Sequence, residues 1–246
     1  MCSSLEQRVA LVTGANKGIG REIARKLGAE PNLRTVLACR SERLGTAAAE
    51  ELRACGCDVS LQRLILTDTE SIAGAARHLR DEYGKLDILV NNAAICFNDP
   101  TLYGKVAHTP FEQQAGISVR TNFFGTLEVT RAMLPLLRAS SSPRVVNVAS
   151  AAGRLSILRS QDLVDAFTAP ALSVPQLEQL MREFVEDVEA GVHAEKGAPL
   201  HPGMLPRPAR LHHTPAWPRC CRLGQHMLRH EQAGTHRADQ GEAFGA

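Results

Sequence analysis

Three glycines, Gly14, Gly18 and Gly20, fall in Thr13-Gly14-Ala15-Asn16-Lys17-Gly18-Ile19-Gly20, directly after the apolar run Arg8-Val9-Ala10-Leu11-Val12-Thr13. That combination can grip a phosphate. A glycine at 14 takes a tight turn. Gly18 and Gly20 let backbone and ligand approach closely. A helix opening here aims its unpaired N–H groups at a pyrophosphate. The spacing is Gly-x-x-x-Gly-x-Gly. A glycine cluster alone also serves plain turns, so the weight rests on its strand–loop–helix setting. A second apolar run ends at Cys39-Arg40. An acidic residue here would bind ribose hydroxyls, whereas an arginine pairs with the 2′-phosphate of NADPH, with Lys17 adding charge nearby. The plain alternative for Arg40 is a solvated surface residue.

The elements that must position these groups follow from periodicity. Apolar runs at 8–13, 35–39, 59–66, 86–90 and 144–149 read as strands. Between them lie helical stretches at 18–28, 43–54, 69–83 with Asp68 as cap, and 111–138, in which Pro135 is expected to kink or end the helix. A further helical region at 155–190 is expected to break near 170–175, with Pro175 in a first turn and Leu177, Leu180, Met181, Phe184 and Val188 as a core stripe. Strand–helix alternation gives an α/β fold, a Rossmann-type doubly wound parallel sheet. Five strands are found and the remaining C-terminal ones are expected to be missing, which leaves 145–149 at an uncovered edge. Residues 5–197 read as the nucleotide-binding domain. Residues 198–246 carry six of the nine histidines and many prolines, and read as a divergent, disordered tail.

Composition excludes several classes. At 246 residues, 44% hydrophobic and 22% charged, the chain suits one globular domain. A net charge of +2 gives no reason to expect nucleic acid or a membrane surface as partner. No run of eighteen apolar residues is present, and the start of the chain lacks the apolar stretch of a secretory signal. Seven scattered cysteines fit a reduced cytoplasmic protein.

The glycine loop, together with Asn91-Asn92-Ala93-Ala94, Thr121-Asn122-Phe123-Phe124-Gly125-Thr126 and Arg144-Val145-Val146-Asn147-Val148-Ala149-Ser150, resembles the short-chain dehydrogenase/reductase family. Within it, the segment Phe184-Val185-Glu186-Asp187 to Gly191-Val192-His193 is similar to the extra helical stretch of monomeric NADPH-dependent carbonyl reductases. The resemblance covers residues 5–197. It implies a monomer that reduces aldehydes, ketones or quinones with NADPH. Gly14, Asn16, Lys17, Gly18, Ile19, Gly20, Arg40 and Asn92 would hold the cofactor. Asn122 would hold a helix kink and a proton-relay water, and Ser150 would hydrogen-bond the substrate carbonyl.

Three departures from the family pattern stand out. Ile65 occupies the place of an aspartate that contacts adenine. Ala94 replaces a glycine, and its methyl is expected to crowd the cofactor or demand a changed backbone angle. The third is the absence of the family's Tyr-x-x-x-Lys, in which a lysine-activated tyrosine donates the proton. Tyr83 is followed four residues later by Asp87, Tyr103 by Ala107, and no lysine follows Lys196. The expectation is therefore an inactive or impaired carbonyl reductase. The alternatives are a catalytically dead module binding NADPH or a protein, and a non-functional splice or frameshift product. Among His212, His213, Cys220, Cys221, His226 and His230, the pair His226 and His230 has His-x-x-x-His spacing, but Cys220 and Cys221 are adjacent rather than Cys-x-x-Cys and no scaffold surrounds them, so no metal is expected.

Overall fold

The computed structural model describes residues 7–97, 109–150 and 153–198. Strands β1 (Arg8–Thr13), β2 (Leu33–Cys39), β3 (Val59–Arg63), β4 (Ile88–Asn91) and β5 (Arg144–Asn147) form one parallel sheet in the order β3-β2-β1-β4-β5. Helices α1 (Gly18–Gly28), α2 (Glu42–Ala54), α3 (Thr69–Tyr83), α4 (Phe111–Ser118) and α5 (Thr126–Arg138) connect them. The expected doubly wound sheet is what forms. β1 lies at its centre, and the chain reverses direction between β1 and β4, where such sheets take ligands.

Each strand alternates between two cores, because successive side chains face opposite sides of a sheet. Val9 and Leu11 join Val36, Ala38 and Leu89 under α3 and α5, against Ile72, Leu79, Val129 and Met133. Val12 joins Leu37, Val59 and Val90 under α1 and α2, against Ala24, Ala49 and Leu52. At the end of the sheet where β1 and β4 begin, the buried carboxylate of Asp87 accepts the Val9 N–H at 2.8 Å and the Ser140 hydroxyl at 2.5 Å. Lys85 stands 3.8 Å from it. That staple ties β1, β4 and the end of α5 together.

Most expected boundaries fall within two residues of the observed ones, and three differences are informative. β3 ends at Arg63 rather than 66, because the chain turns back on itself there: the Asp68 N–H donates to the Ile65 carbonyl at 3.1 Å and Asp68 caps α3. The helix from 111 to 138 is interrupted not at Pro135 but at a π-helical turn, Val119–Gly125. Pro135 sits within α5, which runs on to Arg138. The region 155–190 opens as a 3-10 turn, Leu155–Ile157, followed by α6 (Gln161–Thr168) and α7 (Val174–Glu189). The break falls where the prolines lie, and Pro175 takes a first-turn place behind a Ser173–Gln176 capping box. The stripe expected as core is less deeply placed. Val188 is buried, while Leu177, Leu180, Met181 and Phe184 are half-buried. Phe184 meets Phe111 of α4 edge-on at 6.4 Å.

Among the described residues β5 has a strand on one side only, and Val146 and Val148 are each 41% exposed. Among those residues too, no helix is long and apolar enough to cross a membrane. The expected tail, 198–246, lies outside the described residues except for Ala198, as do Tyr103 and the candidate zinc ligands.

Candidate functional site

The glycine loop connects β1 to α1 at the C-terminal end of the sheet. Gly14 and Gly18 have φ of +68° and +55°, a region that side-chain-bearing residues rarely adopt. Gly14 also lacks room. A Cβ there would lie 2.9 Å from the Ala93 Cα. At Gly20 a Cβ would meet the Asn92 side-chain amide and lie 2.6 Å from the Gly14 carbonyl oxygen. At Gly18, by contrast, a Cβ would meet open space. The loop is thus packed tightly on its inner side and open on its outer side.

That open side fits a pyrophosphate. Lys17 precedes the helix in extended conformation and its side chain does not cap α1, and the first turn carries no acidic residue. The first N–H groups of α1 therefore keep the positive end of the helix dipole available to an anion. Lys17, Gly18 and Ile19 are exposed, and Asn16 is half-buried.

What holds the loop is a clasp between β1 and the end of β4. The Thr13 hydroxyl, 1% exposed as a residue, accepts the backbone N–H groups of Asn92 at 3.0 Å and Ala93 at 2.9 Å. The Asn92 side-chain amide donates back to the Thr13 carbonyl at 2.9 Å. Asn92 was expected to lie against the cofactor. The structure gives it a holding task on the loop itself. Thr13 was quoted within the motif but not counted as a site residue. Its signal was a hydroxyl-bearing β-branched residue at the last position of a buried strand.

A neighbouring clasp fixes β5. Asn91 and Asn147 are register partners, and the Asn91 amide donates to Asn147 Oδ1 at 2.8 Å and to the Thr130 hydroxyl at 3.0 Å. Ser150 stands exposed, three residues beyond β5 on this same end of the sheet. Asn122 sits in the π turn. Its Oδ1 accepts the Ile95 N–H and its Nδ2 donates to the Ile95 carbonyl, both at 2.8 Å. The Asn122 side chain spans from the π turn to the segment after β4. Gly125, quoted within its motif but not counted as a site residue, closes that turn. A Cβ on it would lie 2.5 Å from the Leu66 carbonyl oxygen.

At the β2 end, Arg40 is exposed and no side chain among the described residues pairs with it. Beneath it Cys39 is buried at 1% exposure, and burial pushes its thiol up to about 11, offset in part by the Ala15 N–H. Ile65 is half-buried just past β3, and Asp68 caps α3 through the Ser71 N–H at 3.0 Å. Ala94 is exposed. Asn32 is the non-glycine residue with positive φ among those described, so Ala94 needs no glycine conformation.

A family model described as short chain dehydrogenase matches residues 8–160. The chain is 42% identical over 192 residues to carbonyl reductase (NADPH) 1 of Bos taurus, an alignment covering 78% of this chain and 66% of that protein. It spans about two thirds of the length of that relative. Among solved structures it is similar to menthone neomenthol reductase of Mentha piperita, with TM-score 0.70 and 31% identity, covering 80% of this chain and 79% of that one. It is also similar to an actinorhodin polyketide ketoreductase solved with NADPH, with TM-score 0.52 and 33% identity, covering 60% of this chain and 54% of that one.

Proposed function

The chain belongs to the short chain dehydrogenase family, and from that premise we propose that it binds NADPH and descends from enzymes that reduce the carbonyl group of an aldehyde, ketone or quinone. The observation that carries the cofactor is the pairing of an uncapped, acid-free α1 N-terminus with an exposed Arg40 at the end of β2 that no described side chain pairs. The first suits a pyrophosphate and the second a 2′-phosphate. NADPH supplies the hydride in such reactions. On this reading Ser150 hydrogen-bonds the carbonyl oxygen, and Asn122 holds the backbone at Ile95.

The proton donor is the weak point. Neither tyrosine of the 246 residues stands four before a lysine, and Tyr83 is engaged with the Ser60 hydroxyl at 3.3 Å. General acid catalysis contributes roughly 10²–10⁴-fold, so the proposal includes carbonyl turnover lowered by at least that order. It also includes a monomeric, cytoplasmic protein with no nucleic-acid or membrane partner.

A second reading is a binding module without catalysis, favoured by the edge of β5 that no described strand covers, where Val146 and the following Val148 are exposed. The deciding experiment is fluorescence titration of the full chain with NADPH and NADH, beside Arg40→Ala, followed by turnover of a quinone. Saturable NADPH binding that Arg40→Ala weakens at least tenfold, with NADH unchanged, supports the cofactor site. Binding without turnover favours the module. Absence of both binding and a cooperative melt identifies a non-functional product and ends both readings.

A further inference from the structure

The π turn Val119–Gly125 is held from two sides. On one side Gly125 lies against Leu66, with no room for a Cβ. On the other stands α7. The guanidinium carbon of Arg182 on that helix lies 4.9 Å from the centroid of the Phe124 ring. Phe124 in turn meets Phe123 edge-on, with centroids 5.0 Å apart. Arg182 is itself held. Glu178, one turn earlier on the same face of α7, reaches Arg182 at 3.4 Å and Arg131 of α5 at 2.5 Å. The Glu178 side chain is 14% exposed, so salt screens these pairs less than it would at an open surface. One carboxylate thus fixes two arginines from two helices, and it keeps the Arg182 cation over an aromatic face that attracts it.

Asn122 lies between Gly125 and the start of the π turn, two residues before Phe124. A π turn fits one residue more than an α turn into the helix. Where that extra residue sits decides how the neighbouring side chains are turned, by about 100° for each residue of slippage. Such a rotation would break the hold of Asn122 on both backbone groups of Ile95. We propose that Arg182, steered by Glu178, is a positioning residue: over Phe124 it locks the π turn in the register that aims Asn122 at Ile95. The segment so held runs back to Ala93 and Asn92, which the Thr13 hydroxyl holds at the glycine loop. A brace on α7 therefore reaches the wall of the loop. That this wall serves a cofactor rests on the NADPH reading; the brace itself does not.

The test is amide exchange in the full chain without nucleotide, comparing Ile95 with Leu11, whose buried place in β1 reports global opening. Arg182→Gln removes the cation. It is expected to speed exchange at Ile95 about fivefold relative to Leu11, the size of a cation–ring contact near a surface. Phe124→Leu, which removes the aromatic face, is expected to move the same ratio by the same factor, and joining the two substitutions is expected to move it no further. Arg182→Lys keeps a cation above the ring and is expected to stay within about twofold of the wild type. An unchanged ratio in Arg182→Gln overturns the proposal, whether both amides stay slow or both speed up together through plain loss of stability. Arg182→Lys exchanging as fast as Arg182→Gln also overturns it. Absence of NADPH binding ends the cofactor reading and leaves this comparison to decide the brace.

Discussion

Thr13 and Asn92 hold each other reciprocally: the Thr13 hydroxyl accepts the Asn92 backbone N–H at 3.0 Å, and the Asn92 side chain donates to the Thr13 carbonyl at 2.9 Å. Thr13→Val keeps the shape and deletes the acceptor, leaving two N–H groups, those of Asn92 and Ala93, without it. The expected cost is about 1–3 kcal/mol, and NADPH affinity should fall as the loop loosens. An unchanged midpoint in urea would show that the hydroxyl is dispensable.

Gly125 and Gly116 make a contrasting pair. Gly125→Ala drives a methyl to 2.5 Å from the Leu66 carbonyl oxygen and 2.8 Å from its Cβ, and should destabilise by roughly 1–3 kcal/mol. Gly116→Ala meets only the Val185 side chain at 3.7 Å inside a helix, so it should stabilise by about 0.5–1 kcal/mol. Equilibrium unfolding of both variants reads the sign directly. Matching signs would refute the close approach.

Asn122 grips both backbone groups of Ile95 at 2.8 Å. Asn122→Ala should raise amide exchange at Ile95 by at least tenfold while global stability moves by about 1 kcal/mol. Asn122→Asp, which keeps the acceptor, should preserve protection of that amide. Equal exchange in all three proteins would mean that the segment after β4 is held by something else.

The Cys39 thiol is raised by burial from 9.0 to about 11. A raised folded-state value for a group that ionises to an anion stabilises the fold at pH below the unfolded value, and the contribution is lost as pH rises toward the folded one. Stability should therefore decline between about pH 9 and pH 11, by up to a few kcal/mol from this group. Cys39→Ala should flatten that decline and cost about 1 kcal/mol at pH 7. An identical slope in the variant assigns the loss to other groups.

The sheet was legible because its signals are local. Buried parallel strands read as short apolar runs, and the glycine loop announces the first turn. The interruption at Val119–Gly125 was not, because it is created by contacts distant in sequence: Leu66 against Gly125, and Ile95 against Asn122. Pro135 misled in the opposite direction. An exposed proline near the end of α5 costs one backbone bond and leaves the buried face of Met133, Leu136 and Leu137 intact. In the site, sequence placed Gly14, Gly18, Gly20 and Arg40 at one end of the sheet. Asn92 was assigned to the cofactor by the family resemblance. Only the fold shows that the Thr13 carbonyl lies 2.9 Å from its side-chain amide.

The carboxylate of Asp87 reaches the Val9 N–H across 78 residues of chain. While the protein is being made at about 5–20 residues per second, β1 can pair with β2, and β2 with β3, soon after each emerges. Its other edge must wait some seconds for β4. For that interval the future centre of the sheet is its margin, and it is then that a chaperone, or a second nascent chain, has its opportunity.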